Sequence, residues 1–211
     1  MPAPVIKIAV VGPLAVSIQF SFITFKHNLV FLQSGKSSFI NFATETRESL
    51  TESYIPTVPV RIIEYEVPSS TRGKSQNYNV QIYDCSGDSK FEHTWAAMSY
   101  KLNGTVFVYN PEDKKQAEEL NLWYNNFVEK PNLTEKCCLL VASKKDQDEE
   151  GGGGGKRGHE AKLSTLFSDI PRITFNGKAD EIEAIKQTFG DFLRKVISET
   201  SRGHEQDERF T

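Results

Sequence analysis

The sequence predicts an α/β protein with a mostly parallel six-stranded sheet and helices on both faces of it. Two observations predict this class. Short apolar runs alternate with segments of helical periodicity, the pattern of strand–helix–strand units. In addition, a glycine turn follows the first apolar run, and a Gly-Lys-Ser triplet begins the first helix. We expect one domain over residues 1–199.

The predicted strands are apolar runs bounded by turn residues. They cover residues 5–11, 59–67, 78–85, 104–110, 137–143 and 172–175. The polar segment 68–77 is typical of a hairpin connection, so the second and third strands are expected to form one antiparallel edge.

The predicted helices have apolar residues at helical spacing. They cover residues 37–46, 90–102, 111–130 and 180–197, and Pro111 with acidic residues marks the start of the third. Residues 146–160 are glycine-rich and charged, which predicts a flexible insertion. The polar residues 200–211 predict a disordered tail.

Composition excludes several classes of protein. Of the 211 residues 38% are hydrophobic and 25% charged, and the net charge is -3, which gives no electrostatic reason to expect a nucleic-acid partner. Three cysteines form neither a disulfide framework nor a zinc pattern. No apolar run reaches membrane-spanning length, and the last residues lack a cysteine for prenylation, so we expect no direct membrane anchor.

A phosphate-binding pattern is present but split. The pattern G-x-x-x-x-G-K-S wraps phosphates in backbone N–H groups, places a lysine on the terminal phosphates and a hydroxyl on Mg²⁺. Removing residues 16–33 leaves "GPLASGKS" between the first strand and the first helix. The expected phosphate-binding residues are then Gly12, Ser34, Gly35, Lys36, Ser37 and Ser38.

The inserted block, residues 16–33, has features of a translated intron. It begins with Val-Ser and ends with Gln, which the splice-site sequences GTAAGT and CAG can encode. Its 18 residues keep the reading frame, and they contain no acidic residue. We therefore interpret the block as a retained intron or gene-model error. The alternative is a true insertion, which would disrupt phosphate binding unless it loops out and the two halves close.

Two further motifs are typical of nucleotide switches. Asp84 and Gly87 form D-x-x-G after the third strand; such an aspartate holds Mg²⁺ through water, and the glycine N–H can sense a γ-phosphate. Thr57 precedes the second strand, where a threonine can close over Mg²⁺. The expected metal-binding residues are Ser37, Thr57 and Asp84.

The segment "SKKD" after the fifth strand resembles the guanine-reading pattern N-K-x-D. Lys144 and Asp146 match it, whereas Ser143 replaces the asparagine, which predicts weaker base selection. The alternative is a solvated charge run. Asp88 stands where active GTPases carry a catalytic glutamine, so we expect slow hydrolysis at most and assign no catalytic residue.

Taken in order, the split loop, "YIPTVPVRIIEYE", "VQIYDCSGDSKFEHTW" and "LWYNNFVEKP" resemble the family of Rab-like protein 5, also called intraflagellar transport protein 22. The resemblance implies a Ras-like P-loop GTPase fold that binds GTP or GDP with Mg²⁺. It also implies a subunit of intraflagellar transport complex B that docks on the coiled-coil transport proteins 74 and 81. The implied location is the cilium or flagellum and basal body, with a cytoplasmic pool.

Three functions remain open from the residues. The protein can be a switch-like binding module whose nucleotide orders a docking surface. It can be a GTPase that receives a catalytic group from a partner. It can also be a structural adaptor that keeps the fold without needing nucleotide.

Overall fold

A computed structural model describes residues 5–14, 35–44, 57–71, 74–144, 160–176 and 179–208. The inserted block, Ser34, Asp146 and most of the glycine-rich insertion lie outside these ranges. The first half of the chain forms strand β1 (Val5–Val11), helix α1 (Lys36–Thr44), strands β2 (Val60–Thr71) and β3 (Lys74–Cys85), and helix α2 (Trp95–Ser99). The second half forms β4 (Gly104–Tyr109), α3 (Lys114–Tyr124), β5 (Cys138–Ser143), β6 (Arg172–Phe175) and α4 (Ile182–Glu208).

The six strands form one sheet in the order β2-β3-β1-β4-β5-β6. β2 and β3 pair antiparallel, and every other neighbouring pair is parallel. The predicted sheet and its single antiparallel edge are confirmed. Because β1 lies between β3 and β4, the loops that follow β1 and β3 emerge side by side at the carboxyl edge of the sheet.

Two apolar cores cover the sheet. On one face, Phe39 of α1 and Phe189 of α4 pack edge to face, with 5.9 Å between ring centroids. On the other face, Trp95 of α2 and Trp123 of α3 lie 4.0 Å apart by ring centroids. Helices on both faces explain why the parallel strands read as nearly continuous apolar runs.

The hairpin is longer than predicted. The structure continues β2 to Thr71 and begins β3 at Lys74, so most of the polar segment 68–77 is paired strand, not connection. The backbone ladder of an antiparallel pair does not itself require apolar side chains, so a polar segment can form paired strands.

Helix boundaries also differ from prediction. The segment 90–102 begins as a 3₁₀ turn over Ser89–Thr94, and only Trp95–Ser99 is α-helical. α3 begins after Asp113, whose carboxylate accepts hydrogen bonds from two backbone N–H groups, and it continues as a π-helical turn over Asn125–Glu129.

The predicted disordered tail is wrong for residues 200–208, because α4 continues through them to Glu208. No proline interrupts this segment, so every residue in it can donate a backbone hydrogen bond within the helix.

Candidate functional site: a nucleotide pocket at the carboxyl edge of the sheet

The two halves of the split phosphate loop meet at Val108 of β4. Gly12 has φ +145°, and a Cβ there would overlap the Val108 carbonyl oxygen. Gly35 has φ +75°, and a Cβ there would lie 3.3 Å from Val108 Cγ1 and 2.5 Å from Ser143 Oγ. Both positions therefore need glycine for conformation and for space. The halves are adjacent in space although the inserted block separates them in sequence.

Lys36 connects the two halves. Its ammonium donates to the carbonyl oxygens of Gly12 at 3.2 Å and Pro13 at 2.9 Å, and its side chain is buried. Burial lowers the Lys36 pKa to about 8, and the nearby Asp84 carboxylate partly opposes that shift. The result is a desolvated cation directly beside the loop, where phosphate oxygens can replace the carbonyls as its acceptors.

The three expected metal-binding residues meet although they come from three separate segments. Ser37 Oγ donates to Asp84 Oδ2 at 2.7 Å, and Ser37 Oγ lies 3.3 Å from Thr57 Oγ1. Asp84 is fully buried, and in the described part of the chain its Oδ1 has no hydrogen-bond partner. Burial raises the Asp84 pKa, while the hydrogen bond from Ser37 and the positive charges of Arg61 and Lys36 oppose the rise.

This donor set fits Mg²⁺. Two hydroxyl oxygens and a carboxylate are hard oxygen donors, and the unpartnered Asp84 Oδ1 can accept from a metal-bound water. Ser37 and Thr57 would hold the ion directly, with Asp84 acting through water. The ion would neutralise phosphate charge when nucleotide is bound.

The D-x-x-G segment lies against the phosphate loop. A Cβ on Gly87 would be 2.5 Å from Leu14 N and 2.7 Å from the Gly12 carbonyl oxygen. The side chain of the next residue, Asp88, is held by Lys90 instead. The Asp88 carboxylate accepts a hydrogen bond from Lys90 N at 3.0 Å and forms an ion pair with Lys90 Nζ at 2.7 Å. These bonds from Lys90 lower the Asp88 pKa. Asp88 therefore caps the 3₁₀ turn.

Only part of the expected guanine-reading segment, residues 143 and 144, lies among the described residues. Ser143 packs its hydroxyl against Gly35, so the side chain that replaces asparagine supports the phosphate loop. Lys144 Nζ pairs with Glu160 at 2.8 Å, and Glu160 also binds Arg172 at 3.0 Å. The hydrogen bond from Lys144 is the main reason that the Glu160 pKa is lowered. Asp146 and Ser34 lie outside the described residues, and Ser38 is half-buried in the first turn of α1.

Sequence reasoning missed one residue of this site, Arg61. In the β2–β3 ladder Arg61 is directly opposite Asp84. Its Nη2 lies 3.3 Å from Asp84 Oδ2 and donates to Asn41 Oδ1 at 2.8 Å. Arg61 lies within the segment "YIPTVPVRIIEYE", but that segment gives no role to its arginine; the pairing with Asp84 follows from the register of the hairpin, which depends on tertiary pairing.

The comparisons with known proteins identify the family. A family model described as "Ras of Complex, Roc, domain of DAPkinase" matches residues 32–146. The match begins inside the inserted block and leaves out β1 and Gly12. Intraflagellar transport protein 22 homolog of Danio rerio is 34% identical over 178 residues, which cover 83% of this chain and 91% of the relative. The Homo sapiens homolog is 32% identical with the same coverage.

This chain belongs to the intraflagellar transport protein 22 family. The predicted resemblance and the Ras-like GTPase fold are thereby confirmed.

Solved structures agree with the fold. The T. brucei IFT22/74/81 GTP-bound crystal structure superposes with a TM-score of 0.62 at 23% identity and covers 94% of this chain and 98% of that chain. The T. brucei IFT22 GDP-bound crystal structure gives 0.56 at 22% identity, with 92% and 97% covered. At this identity the likeness concerns the fold alone. No helix among the described residues is long and apolar enough to cross a bilayer.

Proposed function

We propose that this member of the intraflagellar transport protein 22 family binds GTP and GDP with Mg²⁺ and acts as a nucleotide-linked docking subunit of intraflagellar transport complex B. The observation that supports this most strongly is the closure of the split phosphate loop around Lys36, beside the cluster of Ser37, Thr57 and Asp84. These contacts place the expected phosphate-binding and metal-binding side chains of separate segments next to one another.

In the proposed site each residue has one task. The phosphate loop and Lys36 bind phosphates, while Ser37, Thr57 and Asp84 hold Mg²⁺. Gly87 packs against the phosphate loop, and its N–H responds to a third phosphate in this proposal. Lys144 and Asp146 read the base. The remaining phosphate-loop residues bind phosphate together with Lys36: Gly12, Ser34, Gly35 and Ser38.

The partner assignment follows from relatives. The T. brucei structure joins IFT22 with proteins 74 and 81 in a GTP-bound form. We infer that this chain binds the coiled-coil subunits of intraflagellar transport complex B. We also infer that it is located in the cilium or flagellum and the basal body, with a cytoplasmic pool. The nucleotide-independent adaptor is less well supported, because the T. brucei relatives bind both GTP and GDP.

Titration with fluorescent GDP tests this proposal directly. The protein should be prepared with and without residues 16–33, each also as Lys36→Ala and as the exposed control Lys114→Ala. We expect Lys36→Ala to abolish binding and Lys114→Ala to leave it unchanged. Pull-down of proteins 74 and 81 should be stronger with GTP than without nucleotide. Partner binding that is identical in Lys36→Ala would instead establish the adaptor.

A further inference from the structure

The guanidinium group of Arg61 lies beside the proposed Mg²⁺ site. Arg61 is one quarter exposed and pairs with the fully buried Asp84 carboxylate at 3.3 Å. The same guanidinium nitrogen donates to Asn41 on α1 at 2.8 Å. Arg61 thus connects β2, β3 and α1 at the point where the site residues meet, and its position is fixed from two sides.

A buried carboxylate requires a counter-charge, because its removal from water without one is strongly unfavourable. In P-loop nucleotide sites such an aspartate helps to hold the bound divalent ion, which then places positive charge beside it. Here the Asp84 carboxylate already faces Arg61, Lys36 and the Ser37 hydroxyl. Arginine stays protonated under all ordinary conditions, so its charge is always present. A divalent ion entering the site therefore gains less from Asp84 and meets a positive charge beside it.

We propose that Arg61 is a positioning residue that supplies the counter-charge of Asp84 from within the protein, so that nucleotide binding depends only weakly on Mg²⁺. This inference rests on the proposed function and specifies how the same site is regulated. It implies that the site stays assembled when Mg²⁺ is removed.

The test measures release of fluorescent GDP from the full chain in Mg²⁺ and in excess EDTA. We expect EDTA to accelerate release from Arg61→Gln at least about fivefold more than from the wild type, the lower end of ordinary site-to-site coupling. Arg61→Lys should behave like the wild type. Arg194→Gln removes an arginine from an exposed pair on α4 and should change nothing. Equal acceleration in Arg61→Gln and wild type would overturn the inference.

A second measurement separates this inference from the proposed function. Thermal unfolding of the nucleotide-free chain should show that Arg61→Gln lowers the melting temperature and that Arg61→Gln with Asp84→Asn largely restores it. Failure of the double variant to recover stability would overturn the inference even if GDP binds. Absence of GDP binding with recovery in the double variant would overturn the proposed function and retain Arg61 as the partner of Asp84.

Discussion

The Ser37 hydroxyl donates a 2.7 Å hydrogen bond to the buried carboxylate of Asp84, which lies 47 residues further along the chain. This bond joins the start of α1 to the end of β3 and brings two of the proposed metal-binding side chains into contact. It also places the first residue after the Gly-Lys pair at the centre of the site.

Ser37→Ala should destabilise the nucleotide-free chain by about 1–3 kcal/mol, because a buried charged acceptor loses its donor. For a protein of this size that corresponds to a melting temperature lower by several degrees. GDP affinity should also fall, because Ser37 no longer joins the start of α1 to Asp84 beside the phosphate loop. Ser168→Ala, which removes an exposed hydroxyl bonded to Thr165, is the control and should alter neither measurement. Unchanged GDP affinity in Ser37→Ala would contradict the assigned role.

Two glycines should respond in opposite ways to alanine. At Gly87 a Cβ would be 2.5 Å from Leu14 N, so the phosphate loop must shift and both stability and nucleotide affinity should fall. At Gly190 in α4 the nearest atom is 3.4 Å away at the end of the Arg194 side chain. Gly190→Ala should therefore stabilise the helix by about 0.5–1 kcal/mol. Chemical denaturation measures both, and a stabilised Gly87→Ala would show that the loop does not pack as described.

The stability of the nucleotide-free chain should depend on pH through Lys36. Its pKa is lowered from 10.5 to about 8 in the folded protein, so the unfolded chain binds more protons between these values. The burial penalty of the charged form is complete below pH 8 and shrinks as pH rises towards 10.5. Wild type should gain stability relative to Lys36→Met over this window. The free energies of unfolding of the wild type and of Lys36→Met should be measured at closely spaced pH values between about 8 and 10.5. The value for the wild type should rise relative to the value for Lys36→Met as the pH increases. A constant difference would show that the Lys36 pKa is not lowered.

Asp88→Gln should raise the single-turnover rate of GTP hydrolysis. The aspartate is held by Lys90 and adds negative charge near the γ-phosphate position, whereas a glutamine can orient the attacking water. We expect an increase of about tenfold or more, within the range of a catalytic water-positioning group. Loss of the cap should lower stability by about 1 kcal/mol. Asp88→Asn is the control, because it removes charge without the reach of glutamine and should accelerate hydrolysis less.

The transcript across the codons for Gly12 to Lys36 should be 54 nucleotides shorter than the printed sequence requires. This expectation follows from the intron-like ends of the inserted block. Amplification from mature messenger RNA measures the length directly, and genomic DNA is the control for the longer product. A mature transcript of full length would make the block a true insertion of this protein. The GDP titration would then show whether the closed halves still bind.

Most of the fold was predictable from local pattern. Alternating apolar runs and helical segments predicted the six strands and the antiparallel edge. Motif spacing predicted the phosphate loop and the D-x-x-G segment, and the resemblance of longer segments indicated the family. The predicted end of α4 at residue 197 is wrong, because the helix continues through polar residues to Glu208. A helix of charged residues has the same composition as a disordered tail.

By itself, the sequence determined which residues can carry phosphate and metal chemistry, because those motifs are local and their spacing reflects one loop closing on one ligand. The tertiary structure decided which of them meet. Only the sheet order brings Gly12 and Gly35 together at Val108, despite the block between them. Only the register of the β2–β3 ladder places Arg61 opposite Asp84. Such contacts depend on pairing between distant segments, which a one-residue shift of register would abolish.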